Sequence, residues 1–178
     1  AGARCTAVRV TWRAGTAAGV YTSYSSEKNS TYSNGGTSPT NNFTDSTASA
    51  NTAYLYKVTA TMWGGVSPLS NKDLATTVIF TDPALIAQTT PVKAAHVTEL
   101  RTAVDAVRKL ANGGVANNFN YTDPVITAQV TPVQAIHIVE LRSALDAARS
   151  TLGLPPMSYS AGATILTVQF AELRTGVQ

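Results

Sequence analysis

His96 and Glu99 stand three residues apart, and the same pair returns 41 residues later as His137 and Glu140. On a helix this spacing sets an imidazole and a carboxylate one turn apart on one face, a geometry that can hold a metal ion. Two ligands per helix are too few unless the two pairs converge. The architectural alternative is a His hydrogen-bonded to its neighbouring Glu or to a loop of the next unit. A second pattern overlaps the first: Glu99-Leu100-Arg101, Glu140-Leu141-Arg142 and Glu172-Leu173-Arg174. With each Leu in a core stripe, the flanking charges lie beside the seam, where they bridge neighbouring units, solvate the edge or meet a partner. In the third occurrence Gln169 replaces His. The sequence has no Gly-x-Ser-x-Gly elbow and no phosphate-cradling Gly loop. The acids of this half recur in structural contexts, unlike the paired acids of a glycosidase. The expectation is therefore no enzyme and no cofactor, with His96, Glu99, His137 and Glu140 as weak metal candidates.

The elements that position these residues read as an internal repeat. Residues 80–113 and 121–154 align without a gap at an offset of 41, taking Asp82 to Asp123, Pro91 to Pro132 and Arg108 to Arg149. A degenerate third unit, 159–178, keeps Glu172-Leu173-Arg174 but lacks the Asp-Pro and Thr-Pro pairs. A match this long at a fixed offset marks duplication. Asp82 followed by Pro83 predicts a turn or a helix start with Asp as N-cap, and Thr90-Pro91 predicts the opening of the main helix. Val97, Leu100, Val104, Val107 and Ala111 fall at helical spacing, as do Ile138, Leu141, Leu145, Ala148 and Leu152. Each set is one apolar stripe. Asn112-Gly113-Gly114, Gly153 and Pro155-Pro156 stop the helices. Five buried side chains yield about 7–15 kcal/mol gross, whereas ordering some forty residues costs several times that. No unit stands alone, so the stripes must cover one another or the segment in front.

That segment, residues 1–78, has strand character. Val8, Val10 and Trp12 alternate with Arg9, Thr11 and Arg13, and Tyr54, Tyr56, Val58 and Ala60 alternate with Lys57, Thr59 and Thr61. Such alternation gives one buried and one wet face. Asn34-Gly35-Gly36 and Thr37-Ser38-Pro39 read as turns between strands. In these features the segment resembles the fibronectin type III family. Trp12 ends a strand as the core Trp of the family's second strand does, FTDSTASANTAYLYKVTA (43–60) looks like the approach to the sixth strand with Tyr54 at the tyrosine corner, and SPLSNKDLATT (67–77) looks like the last strand. The resemblance implies a β-sandwich used as a spacer or scaffold for adhesion or assembly, and it places Trp12 and Tyr54 as structural residues. Too few residues precede the Trp12 strand for the family's usual first strand, which implies a short or missing strand and an edge that another subunit can supply. The helical units are similar to short C-terminal repeats of uncharacterised secreted bacterial proteins, a likeness that implies no activity. The fold class expected is α+β by segregated domains: a fibronectin-III-like sandwich over 1–78, then an all-α repeat domain over 79–178.

Composition narrows the function classes. The chain has 178 residues, 13 Lys and Arg against 10 Asp and Glu, and only 13% charged residues. Residues 1–78 hold six basic and three acidic side chains, and residues 79–178 hold seven of each. No Lys/Arg stripe is present, which argues against nucleic acid as a partner. No apolar run approaches a membrane span of about 20 residues. Cys5 is the lone cysteine, so no internal disulfide forms, and it is either a buried thiol or an intermolecular link. Asn29, Asn42 and Asn120 each begin a glycosylation-acceptor triplet. Tyr32 and Trp63 sit in loop-like stretches where aromatic rings stack on sugars or cap a sandwich. The low charge and Thr-rich composition predict an extracellular or cell-surface chain. The functional expectation is a secreted structural or adhesive protein, a homo-oligomer or fibre subunit whose partners are its own copies, surface proteins or polysaccharides. The other reading is a carbohydrate-binding or spacer region of a larger secreted hydrolase.

Overall fold

The computed structural model describes residues 7–12, 19–26, 32–62, 65–87, 89–160 and 166–178. Cys5, Asn29 and Trp63 lie outside them. Among the described residues seven strands precede three helices: β1 Val8–Thr11, β2 Val20–Ser26, β3 Ser33–Ser38, β4 Asn42–Asp45, β5 Ala53–Met62, β6 Gly65–Val66, β7 Asp73–Thr76, α1 Ala94–Ala111, α2 Ala135–Leu152 and α3 Thr167–Gly176. The protein is α+β, a β-sandwich-like region followed by helices.

Strands β1 and β4 pair antiparallel as a small sheet, with Val8 opposite Asp45. The larger sheet runs β3-β2-β5-β6, and β7 pairs with the first half of β5. Tyr54, Tyr56 and Ala48 face Val8 and Val10 across the gap between the sheets. The Tyr54 hydroxyl accepts the backbone N–H of Ser49 at 2.7 Å, five residues upstream. The Tyr56 hydroxyl donates to the buried carboxylate of Asp45 at 3.0 Å. Both phenols therefore reach a polar partner from an otherwise apolar layer, which is what buried Tyr requires. Trp12 is half-buried at the end of β1, its ring 5.1 Å from that of Tyr21.

Two stretches differ from the sequence expectation. Asn34-Gly35-Gly36 lies inside β3 rather than in a turn. Gly36 holds a φ of +142° with the Phe43 ring against its Cα, where a Cβ would come within 2.6 Å of the ring. The glycines serve a bulged register between β2 and β3 and the close approach of Phe43. Between β6 and β7, Pro68 interrupts the strand. The hydroxyls of Ser67 and Ser70 accept the N–H groups of Ala60 and Val58, each at 2.9 Å, while their own N–H groups donate to the same two residues' carbonyls. Side chains thus continue the pairing that the proline breaks.

The second face of β5 is also covered. Leu55 is fully buried, and with Ala53, Leu74 and Val78 it joins the cluster that contains Val97, Leu100, Val104, Leu141, Leu145, Leu152, Phe170 and Leu173 from the helices. Sandwich and helices share this core through one face of β5, while the other face keeps the separate Tyr54–Tyr56 cluster between the sheets. Lys72, from the β6–β7 connection, rests its ammonium against Gly153 at the C-terminal end of α2, where cations are favoured by the helix dipole. Gly153 itself ends the helix with a φ of +62°.

Candidate functional site

The recurring polar residues organise each helical unit and then join the units. Helix α1 begins at Ala94 behind Lys93, not behind Thr90 or Asp82. Asp82 caps no helix. Its carboxylate instead folds back on the side chain of His96, at 2.7 Å from Nε2, and also accepts from Lys93 Nζ at 2.9 Å. The backbone N–H of Lys93 donates to His96 Nδ1 at 3.3 Å. Nδ1 is thus an acceptor, and the proton sits on Nε2 facing the carboxylate. Unit two repeats this: Gln134 N–H donates to His137 Nδ1 at 3.2 Å, and His137 Nε2 lies 2.8 Å from Asp123. Both imidazoles are fully buried. In unit three, Gln169 Oε1 accepts the N–H of Leu166 at 3.2 Å. The Gln supplies the acceptor at the helix start that His supplies elsewhere, and the acid that would meet the second ring nitrogen is absent from this unit. The third helical side chain thus accepts the N–H of the residue just before the helix, as in a capping box.

The glutamates hold the same loops from the next turn. Glu99 accepts from the backbone N–H of Thr81 at 3.0 Å and from its hydroxyl. Glu140 accepts from Thr122 N–H at 2.8 Å and its hydroxyl at 2.5 Å. Glu172 accepts from Ser160 N–H at 2.9 Å and its hydroxyl. His96 and Glu99 therefore do not converge on a common point, nor do His137 and Glu140. Each His binds the loop of its own unit, rather than its neighbouring Glu or the next unit. Among the described residues no three His, Cys, Asp or Glu side chains gather as a metal site.

The arginines join the units head to tail. Arg101 donates to the carbonyl of Asp123 in unit two at 2.6 Å and lies over the Tyr121 ring at 4.0 Å. Arg142 donates to the carbonyl of Ser160 in unit three at 3.1 Å, lies over Tyr159 at 4.6 Å and pairs with Glu172 at 3.2 Å. Arg174 returns to unit one: it donates to the carbonyl of Asp82, 92 residues back, lies over Phe80 at 4.3 Å and faces Glu99 at 3.8 Å. The three junctions close a ring. Each seats a guanidinium on the aromatic residue that opens the next unit, an arrangement worth about 2 kcal/mol when desolvated. Leu100, Leu141 and Leu173 are fully buried inside the ring.

The junctions are not identical. Tyr159 donates to Asp146 at 2.6 Å. Tyr121 occupies the corresponding place but its buried hydroxyl has no partner among the described residues, and burial pushes its pKa well up. Asp105, the counterpart of Asp146, accepts instead from the Phe119 N–H at 3.1 Å, and burial raises its pKa too. A groove opens here along α1 and the 118–124 connection, lined by Thr102, Asp105, Asn118, Phe119 and Asn120. Sequence reasoning missed the aromatic seats. Their signal was present, because Phe80, Tyr121 and Tyr159 open the three units. Tyr32 is half-buried against the core and under Lys57 Nζ at 4.7 Å. Asn42 is half-buried in β4, and Asn120 is exposed.

No family model matches the chain, and no curated protein matches it. Among solved structures, the sixth fibronectin type III domain from human fibronectin type III domain containing protein 3 is similar to part of it. The identity is 20% and the TM-score 0.36, over 42% of this chain and 74% of that domain.

Proposed function

We propose that this chain is a non-catalytic structural or adhesive module of an extracellular or cell-surface protein, built from a fibronectin-III-type sandwich and a three-unit tandem helical repeat, and able to associate with copies of itself. The observation that carries the reading is the use made of the recurring His, Glu and Arg: each holds a loop to its helix or one unit to the next. Residues that first look like a site are consumed as framework. The low charge and Thr-rich composition support an extracellular setting. The bond from Ser49 to Tyr54 supports the sandwich type, since a tyrosine reaching back a few residues is a mark of such folds. Electron microscopy of the purified protein at high concentration tests self-association. Filaments or regular oligomers are expected; dispersed monomers alone would sink the fibre version.

A second reading, a carbohydrate-binding region of a larger secreted hydrolase, is favoured by the groove beside α1. It joins an aromatic edge to carboxylate and amide groups, the combination by which sugars are held. A glycan array tests it: a signal lost in Asp105→Ala is expected, and silence across all polysaccharides removes the reading.

A further inference from the structure

On the reading that the chain associates with its own copies, we infer that the start of α2 and the loop bound to it are the face of contact, taken by the same face of a second copy about a two-fold axis. Units one and two differ in a way that isolates this face. Both make the same framework bonds: Asp82 and Asp123 to a buried His, Glu99 and Glu140 to a Thr N–H. The surface around those bonds is not the same. Ala84, Thr89, Ala95 and Thr98 of unit one become Val125, Val130, Ile136 and Val139 in unit two, and these are 73%, 74%, 39% and 56% exposed. Only Ile86, opposite Thr127, runs the other way. Unit one forms its loop and helix with Ala and Thr, so the fold does not call for the larger apolar groups. Ile136 and Val139 lie three apart on one helical face. The loop that carries Val125 and Val130 is tied to the same turns through His137 and Glu140. Single surface apolar residues need no explanation, whereas several together mark a contact.

Charge identifies the occupant. Among the exchanged positions Lys93 is the one charged side chain of unit one, and unit two has Gln134 in its place. From 122 to 139 the sole Lys, Arg, Asp or Glu is Asp123, which is engaged by His137. A face without free charge offers nothing to an acidic or basic partner. About a two-fold axis, each side chain near the axis meets its own copy. A Lys there would oppose a Lys, whereas a Gln both donates and accepts and can bond to its twin. Exchange of Lys for Gln is thus what pairing with a second copy requires. Val and Ile are also stiff, so contact costs them little rotamer freedom. The four side chains with the exposed Pro124 and Pro132 present on the order of 400 Å² per copy, the weak end of the scale of specific interfaces. Dimers therefore form at high protein concentration and part in dilute solution.

The test uses substitutions that the fold already carries. Val125→Ala/Val130→Thr/Ile136→Ala/Val139→Thr gives unit two the surface of unit one, and thermal unfolding in dilute solution checks that the variant folds. In sedimentation equilibrium from micromolar to millimolar concentration, the wild type is expected to pass from monomer to dimer and the variant to stay monomeric. Gln134→Lys and Gln134→Glu are each expected to weaken the dimer by about tenfold or more at low salt, and their equimolar mixture to form a 1:1 heterodimer. A mixture that stays monomeric overturns the two-fold pairing. A quadruple variant that associates as the wild type does overturns the face while self-association stands. A wild type monomeric even at millimolar concentration overturns both, and flotation of that monomer with phosphatidylcholine vesicles would assign the face to lipid instead.

Discussion

At the scale of single residues, the protein satisfies its buried polar groups with short local bonds, and these make sharp predictions. Tyr54 is the acceptor for Ser49 N–H, so Tyr54→Phe leaves that donor unpaired. A loss of about 1–3 kcal/mol is expected, read from urea unfolding midpoints. The His positions allow a test of the capping account. Since Gln169 does in unit three what His96 does in unit one, His96→Gln should cost clearly less than His96→Leu, which abandons both the Lys93 N–H and Asp82. Asp82 adds a pH dependence. Hydrogen bonds from Lys93 and His96 hold its carboxyl below the usual range. A carboxyl depressed in the folded state contributes stability above its unfolded pKa and loses it as pH falls through the folded value. Unfolding midpoints should therefore decline below about pH 4, and Asp82→Asn should flatten that part of the profile.

At the scale of elements, close approach of helices sets the constraint. A Cβ on Gly176 would lie 2.8 Å from a terminal methyl of Leu145 and 3.2 Å from the methyl of Met157, so any side chain there must displace both where α3 meets α2. Gly176→Ala should destabilise by about 1–3 kcal/mol through overpacking, against the usual gain of Ala over Gly within a helix. Thermal unfolding checks the sign. The helices themselves were legible in the sequence, because Val97, Leu100, Leu141 and Leu145 fall at helical spacing and all are fully buried. Their starts were not. Asp82 and Thr90 carry cap chemistry, yet Asp82 turns its carboxylate to His96 and the Thr90 hydroxyl accepts from Ile86 N–H at 2.9 Å. Both shape the loop rather than the helix end, and a tertiary partner such as His96, fourteen residues on, leaves no mark in local propensity. The glycines of β3 misled for the same reason: the demand for them comes from Phe43, on another strand.

At the scale of the whole molecule, the least legible feature was the joining of sandwich to helices. The alternation in β5 pointed to one dry face, that of Tyr54 and Tyr56. Leu55 and Leu74 stand opposite, and a pair of leucines on a nominally wet face is the trace of a second layer. Both are buried in the cluster of the helices. Isolated surface leucines are common enough that this trace is weak without the neighbours in view. The shared core has a thermodynamic consequence. If Leu55 belongs to the helical core, the two parts cannot lose their packing independently, and the chain should unfold in one transition. Far-ultraviolet circular dichroism, dominated by the helices, and tryptophan fluorescence, drawn from Trp12 and Trp63 of residues 1–78, should then trace the same urea curve. Leu55→Ala removes a fully buried side chain and should cost about 2–5 kcal/mol. Its diagnostic value lies in where the cost is felt. A residue of the sandwich alone would shift the fluorescence signal and leave the helical signal in place. A residue of the joint core shifts both midpoints together, and separated midpoints in the variant would show that helices and sandwich are held by independent cores.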